Sequence, residues 1–421
     1  MKILMATNTY LNVVGGLEKS VLSFASKFRE LKHGVAIAGT DFVEISGNTK
    51  NSSLPLTRHP LFSLPFRAKL ERIVAKFNAD IIHAHHPFLM GEMALRFSAY
   101  YDKPVVFTYH IMFDQYSHYL PLISPSFSKR FLTELAVGFC NLCTRVIAPS
   151  ESVRKILRAQ GVKAAIDVVP TGVEAEKYLI GNRGKKRKEL GLSEKAVLLG
   201  CVGRLAPEKN LDYLASQVLR FMQAHDNAYF FVAGKGPSCE MLKNIFSDAG
   251  LQARLLYMGA LQGQDLIDSY HAMDVFVFAS ESETQGMVIT EAMAAGIPVV
   301  ALDAPGVREV VQDFENGRIV FTAESNEFQS AIEWCVARSA KDLASLKQKA
   351  IATAGSFSVD KCALRALEVY RMALQDYSSG SRKDQAQHKL LRCVRIELLI
   401  ILNFVRAAIL ATRELFPKQA K

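Results

Sequence analysis

The sequence contains no run of about 20 uncharged apolar residues, the length a helix needs to cross a bilayer, so no spanning segment is expected. The start, "MKILMATNTYLNVVGG", lacks the long apolar core of a signal peptide and reads as a short strand and a glycine loop. Cysteine is scarce and odd in number, and seven scattered residues do not make a disulfide framework. Cys140 and Cys143 form a lone C-x-x-C in an apolar, helix-like stretch, with no second pair and no nearby histidine. Buried structural thiols fit that pattern better than a metal or redox site. No P-loop, no complete G-x-G-x-x-G, no zinc spacing and no basic motif interleaved with aromatics occurs, which argues against a nucleic-acid partner. A cytosolic chain is the expectation.

The 421 residues are 49% hydrophobic and 22% charged, which suits two or three folded domains rather than one, or disorder. The net charge of +10 favours anionic partners, whether an acidic membrane or phosphorylated ligands. Short, continuously apolar runs alternate with helical patterns. "KILMAT" (2–7), "GVAIAGT" (34–40), "DIIHAH" (80–85), "PVVFTYH" (104–110), "RVIAPS" (145–150) and "AIDVVPTGV" (165–173) read as strands buried on both faces of a parallel sheet. After the basic stretch 182–195 the pattern restarts with "AVLLGCVG" (196–203), "AYFFVAG" (228–234), "RLLYMG" (254–259), "DVFVFAS" (274–280), "IPVVA" (297–301) and "GRIVF" (317–321). The fold class is α/β: two doubly wound, Rossmann-like domains, 1–174 and 175–356, facing an interdomain cleft. A linker and tail occupy 379–421.

The chemistry concentrates in "ESETQGMVITEAMAAGIPVV" (281–300), where Glu283 and Glu291 stand eight positions apart. A helix is expected to open near Gly286–Val288, offering unpaired amides and partial positive charge to a phosphate. Glu283 in the preceding loop suits sugar hydroxyls, and Glu291, about a turn into the helix, suits the vicinal hydroxyls of a ribose. A carboxylate among Met, Val, Ile and Ala is either paired within the fold or awaits a ligand. By themselves the two are equally readable as surface glutamates. "GRLAPEKN" (203–210) adds Arg204 and Lys209, two cations at one strand end able to neutralise a departing diphosphate. "VAGKGP" (232–237) and "VGG" (14–16) are weaker glycine-rich strand ends. In "HAHHP" (83–87), strand alternation puts His83 and His85 on one face with no carboxylate near, so a metal site is disfavoured.

Taken together, "GG-L-E" (15–18), "GRLAPEKN", "VAGKGP" and the 281–300 segment resemble glycosyltransferase family 4, retaining enzymes of the GT-B fold, over most of residues 1–375. The resemblance implies that Arg204 and Lys209 bind a donor diphosphate and that Glu283 contacts the donor sugar. Glu291 would take the ribose, and the amides of Gly286, Met287 and Val288 the phosphate or sugar. Gly15 and Gly16 would lie under the diphosphate, and the segment from 357 to 378 would cross back to the first domain. "TYHIMFDQYSHYL" (108–120) resembles a region of bacterial diacylglycerol glucosyltransferases. It implies that His110 touches the donor sugar and reacting centre, with Tyr109, Asp114 and His118 toward the acceptor. The substrate implied is a UDP-sugar, as UDP-glucose, with no metal required for catalysis.

The tail "HKLLRCVRIELLIILNFVRAAILATRELF" (388–416), wound on a helix, gathers His388, Lys389, Arg392, Arg395, Asn403, Arg406, Arg413 and Glu414 within about 120° of arc. Leu, Ile, Val, Phe and Ala fill most of the rest, with Glu397 misplaced among them. A basic stripe beside an apolar face suits an interfacial helix on an anionic membrane, with Arg392, Arg395, Arg406 and Arg413 in contact. The same face is equally able to pack on the protein or a second subunit. Three readings follow: a transferase peripheral at the inner face of the cell membrane with a lipid acceptor such as diacylglycerol; one with a soluble or polyprenyl-linked acceptor; or a non-catalytic sugar-nucleotide binder.

Overall fold

The computed structural model of the chain describes residues 1–8, 15–40, 43–45, 64–115, 124–323, 326–381 and 389–414. It divides into two compact units, Met1–Pro170 with Cys362–Lys421, and Thr171–Lys361.

The first unit is built on β1 (Lys2–Ala6), β2 (Gly34–Ala38), β3 (Val43–Ile45), β4 (Ile81–Ala84), β5 (Val105–Thr108), β6 (Arg145–Ala148) and β7 (Ala165–Val168). Their order is β3-β2-β1-β4-β5-β6-β7, parallel except for β3, which runs antiparallel to β2. Ile3 pairs with Val35 on one side and Ile81 on the other. Alternate residues of these strands feed two cores, which is why the runs are apolar throughout. Leu4, Ile82 and Phe107 face Leu95 and Phe139 from the helices Met90–Tyr101 and Pro125–Leu142. Ile3, Met5 and Ile81 face Phe24 and Phe28 of the helix Gly16–Glu30, together with Cys362, Ala366 and Tyr370 of the long helix Val359–Ser381.

The second unit contains β8 (Val197–Val202), β9 (Ala228–Ala233), β10 (Leu255–Gly259), β11 (Val275–Phe278), β12 (Val299–Leu302) and β13 (Gly317–Val320), in the order β10-β9-β8-β11-β12-β13. All neighbours are parallel. Strand order reverses between β8 and β11, and the loops leaving those two strands part at that point, where ligands of open α/β sheets bind.

The basic stretch after residue 181 is not a solvated connector. It forms the helix Arg183–Glu189, and Lys186 and Arg187 are buried. Arg187 donates to the carbonyls of Ala272 (2.9 Å), Ser193 (3.1 Å) and Ala196, and to Asp274 Oδ2 at 3.2 Å. Arg183 donates to the carbonyls of His271, Ala272 and Met273 and to Asp274 Oδ1 at 2.6 Å. The two guanidiniums supply fixed donors to the carbonyl end of the helix Gly263–Ala272. Arg187→Ala is expected to lower stability by about 3–5 kcal/mol, since it leaves buried acceptors and Asp274 short of a donor. Lys185→Ala, on the exposed side of the same helix, should stay within about 0.5 kcal/mol of the parent. Urea midpoints of the two variants make the comparison.

Candidate active site

The loops after β8 and β11 are stitched together. Ser280 and Ser282 hydroxyls both donate to the Glu208 carbonyl at 3.2 Å, and Asn210 Nδ2 donates to Glu281 Oε1 at 3.2 Å. The end of β9 joins them: Leu205 N–H donates to Lys235 O (3.0 Å), and Ser238 N–H donates to Leu205 O (2.9 Å). A Cβ at Gly234 would strike the Gly203 carbonyl, and one at Gly236 the Leu205 carbonyl. The glycines of "VAGKGP" therefore serve backbone approach between strand ends.

Within this frame the Lys209 ammonium pairs with the Glu283 carboxylate, and the Arg204 guanidinium with Glu208. Lys209 and Glu283 keep 22% and 15% of their side-chain surface in solvent, so the pair lies at an accessible rim. Gly286, at φ +74°, turns the chain into the helix Met287–Ala294. Its first amides, from Met287 and Val288, precede the first intrahelical bonds and carry the positive end of the helix dipole. Glu291 is 2% exposed and is paired within the fold. Its Oε2 accepts from the Tyr270 hydroxyl at 2.9 Å, and the Tyr178 phenol also bonds to it. Burial first, and then this carboxylate, raises both phenols above their usual range, so both remain protonated donors.

In the first unit, His110 stands at the end of β5, half-buried, with Nε2 3.0 Å from His85 Nδ1. His85 is buried, and its Nε2 has no hydrogen-bond partner among the described residues. The His83 ring lies 4.0 Å from that of His85, and it bonds through Nδ1 to the Tyr370 hydroxyl (2.6 Å) and through Nε2 to Thr108 Oγ1 (2.7 Å). His86 Nδ1 accepts from the Asn8 N–H at 3.1 Å. Burial lowers the four imidazoles, His83 to about 3, His86 to about 4, and His85 and His110 well below the ordinary value. All four are neutral at physiological pH. Among the described residues no group of three or more His, Cys, Asp or Glu is arranged to hold a metal ion.

A model of the glycosyl transferases group 1 matches residues 182–353, and a model of Glycosyltransferase Family 4 matches residues 14–177. The chain belongs to the family 4 glycosyltransferases. An alpha-monoglucosyldiacylglycerol synthase from Streptococcus pneumoniae is 28% identical over 336 residues, 76% of this chain and 75% of that protein. A GDP-mannose-dependent alpha-mannosyltransferase from Corynebacterium glutamicum is 28% identical over 349 residues, 79% and 80% of the two chains. The Anabaena protein Alr3699/HepE, crystallised with UDP-glucose, has the same fold, with a TM-score of 0.67 at 22% identity over 88% of this chain and 100% of that one. The fold is GT-B, and the glycosyltransferase is nucleotide-sugar-dependent. Catalysis by the family sets aside the reading as a non-catalytic binder.

Several residues of the transferase stand differently from the sequence reading. Tyr109 is a core residue, 1% exposed, edge-on to Phe107 and Phe113, which withdraws it from acceptor contact. Asp114 is held by Gln115 Nε2 at 3.0 Å, with Lys129 3.9 Å away. His118 lies outside the described residues. Gly15 caps the helix Gly16–Glu30, and the Glu18 carboxylate folds over it. Gln285, unnoticed in the sequence, clamps the Thr171 backbone from both sides, its Nε2 donating to Thr171 O at 2.6 Å and its Oε1 accepting from Thr171 N–H.

The transferase's tail helix, Lys389–Thr412, packs on the helices Pro125–Leu142 and Met90–Tyr101. It does so through its mixed face. Arg96 grips Glu397 with two bonds of 2.8 and 3.1 Å, Asn403 Nδ2 donates to Leu135 O at 3.0 Å, and Ala407 and Ala411 are buried. Arg392 Nε donates to Ala99 O at 3.1 Å, so this arginine serves the body of the first unit. Arg395, Arg406 and Arg413 are exposed. Leu390, Leu391, Val394, Leu398, Ile401, Leu402, Phe404, Val405 and Ile409 are all exposed, so the apolar face points outward rather than onto the protein. Among the described residues no helix is long and apolar enough to cross a membrane.

Acid should loosen the first unit in a defined window. The unfolded chain protonates a histidine near pH 6.5, whereas folded His83 does so only near 3. Stability from this group is complete above about pH 6.5 and declines as pH falls toward 3, by about 2 kcal/mol at pH 5. His83→Gln should flatten that part of the profile in thermal melts taken between pH 7 and pH 5.

Proposed function

We propose that this glycosyltransferase moves a hexose, glucose by preference, from a UDP-sugar to diacylglycerol at the inner surface of the cell membrane. The observation that carries the lipid acceptor is the outward apolar face of the tail helix, flanked by the exposed cations Arg395, Arg406 and Arg413. Such a face suits the interfacial zone of an anionic bilayer. The likeness to an alpha-monoglucosyldiacylglycerol synthase supports the same acceptor class, and the UDP-glucose bound by the Anabaena protein supports the donor.

In this reading the diphosphate lies at the N-terminus of the helix Met287–Ala294, against the amides of Met287 and Val288, with Gly286 allowing close approach. Arg204 and Lys209 meet the charge of the leaving group, so the reading requires no metal. The Lys209–Glu283 ion pair keeps both groups in place until a ligand arrives. Phosphate oxygens then compete for the ammonium, and sugar hydroxyls donate to the released carboxylate. Glu291, fixed by its tyrosines, presents its carboxylate edge to the ribose. His110 is neutral and serves at the sugar as a hydrogen-bonding group rather than a cation. Configuration is retained. The bond from the anomeric carbon to the phosphate oxygen breaks, the acceptor oxygen attacks from the same face, and the acceptor proton passes to the departing phosphate. The protein supplies position and charge.

The second reading, a soluble or polyprenyl-linked saccharide acceptor, draws on the likeness to a GDP-mannose-dependent mannosyltransferase. A panel of UDP-hexoses and GDP-mannose, turned over with anionic vesicles with and without diacylglycerol, separates the two. A glycolipid formed only with diacylglycerol is the expected result; nucleotide release without glycolipid would favour the second reading. Arg204→Ala should lower kcat by about 10²–10³-fold on the productive donor. Full activity in that variant would remove the donor-site assignment.

A further inference from the structure

A cavity of about 240 Å³ lies in the first unit beneath the tail helix. Its wall is apolar: Phe88, Leu95, Leu135 and Phe139 from the body, Ile400 and Phe404 from the tail. The two polar side chains on it are engaged elsewhere, Asn403 with the Leu135 carbonyl and Glu92 with Arg96 at 3.4 Å. An apolar wall of this kind is a poor site for water, and a dry cavity of about 150 Å³ already accommodates a benzene ring. The rim is what identifies the occupant. Ile401 and Phe404 line the cavity and are also 57% and 55% exposed on the outer apolar face, so the two surfaces are continuous. Beside them Phe404 packs edge-on against Phe131, and the exposed Arg130 and Arg406 share the one carboxylate of Glu134 at 2.7 and 3.8 Å, a net positive charge that suits an anionic headgroup.

We infer that the cavity is a binding site for one acyl chain of a membrane lipid, drawn from the bilayer over Ile401 and Phe404. The inference deepens the lipid-acceptor reading and rests on it.

The test uses the full chain, phosphatidylglycerol vesicles and a diacylglycerol carrying a diazirine midway along one acyl chain. After photolysis the labelled residues are mapped by mass spectrometry, and glycolipid formation is assayed on the same sample. Label on Leu95, Leu135 and Phe139 is the expected result. Label confined to Leu398, Leu402 and Val405 would overturn the cavity site while leaving the membrane-facing helix intact. Wall label without glycolipid would keep the site and overturn the acceptor reading; glycolipid without wall label would do the reverse. A chain that sediments as a dimer with its wall unlabelled would assign the outer face to a second copy instead. Leu135→Trp, which fills the cavity and keeps the backbone carbonyl that Asn403 uses, provides a second readout. It should raise KM for long-chain diacylglycerol about tenfold, the loss of about two buried methylenes, with KM for the nucleotide sugar unchanged.

Discussion

The donor-side geometry depends on how closely three strand ends approach one another. Side chains at Gly234 or Gly236 would push the end of β9 away from the 203–205 backbone, and the loop carrying Arg204 and Lys209 would lose its floor. The serine bonds to the Glu208 carbonyl then fix that loop against the one carrying Glu283. Only with both loops in register does the lysine meet the glutamate. The ion pair is an outcome of backbone packing rather than a cause of it.

The same unit shows how a carboxylate is held in an apolar run, one buried and one part-buried. Glu291 is bonded by Tyr270 and Tyr178, and Asp274 by Arg183 and Arg187. In one case neutral donors surround the charge, in the other a pair of guanidiniums does. The first arrangement holds a buried carboxylate about one turn into a helix whose leading amides attract anions. The second neutralises its charge and serves only the scaffold. A carboxylate in an apolar run therefore says little until its partners are known.

That distinction marks where the sequence was readable. The strands were, because each is buried on both faces and so is apolar without interruption, and the helix opening after Gly286 was, because its glycine, chain reversal and apolar run are local. The tyrosines of Glu291, the Gln285 clamp on Thr171 and the carbonyls beneath Arg187 were not, since each partner lies many tens of residues away. β3 has three residues, too few for a pattern. The orientation of the tail helix was hidden for the same reason as the tyrosines. Periodicity gave two faces of different character, but Arg96, which decides which face turns inward, lies some three hundred positions earlier in the chain.

The first unit is assembled from both ends of the chain, and this bears on its biogenesis. One face of its sheet is covered by Cys362, Ala366 and Tyr370, and two of its helices by the tail, while the whole of the second unit is encoded in between. During synthesis the second unit is contiguous and can close as soon as it leaves the ribosome. The first must wait with the face of Ile3, Met5 and Ile81 covered only in part, by Phe24 and Phe28, until some 190 further residues have been added. At about 5–20 residues per second that is an interval of about 10–40 seconds, long on the scale of hydrophobic collapse. The amino-terminal sheet is thus the part of this enzyme with most need of a chaperone, although it is the first to be made.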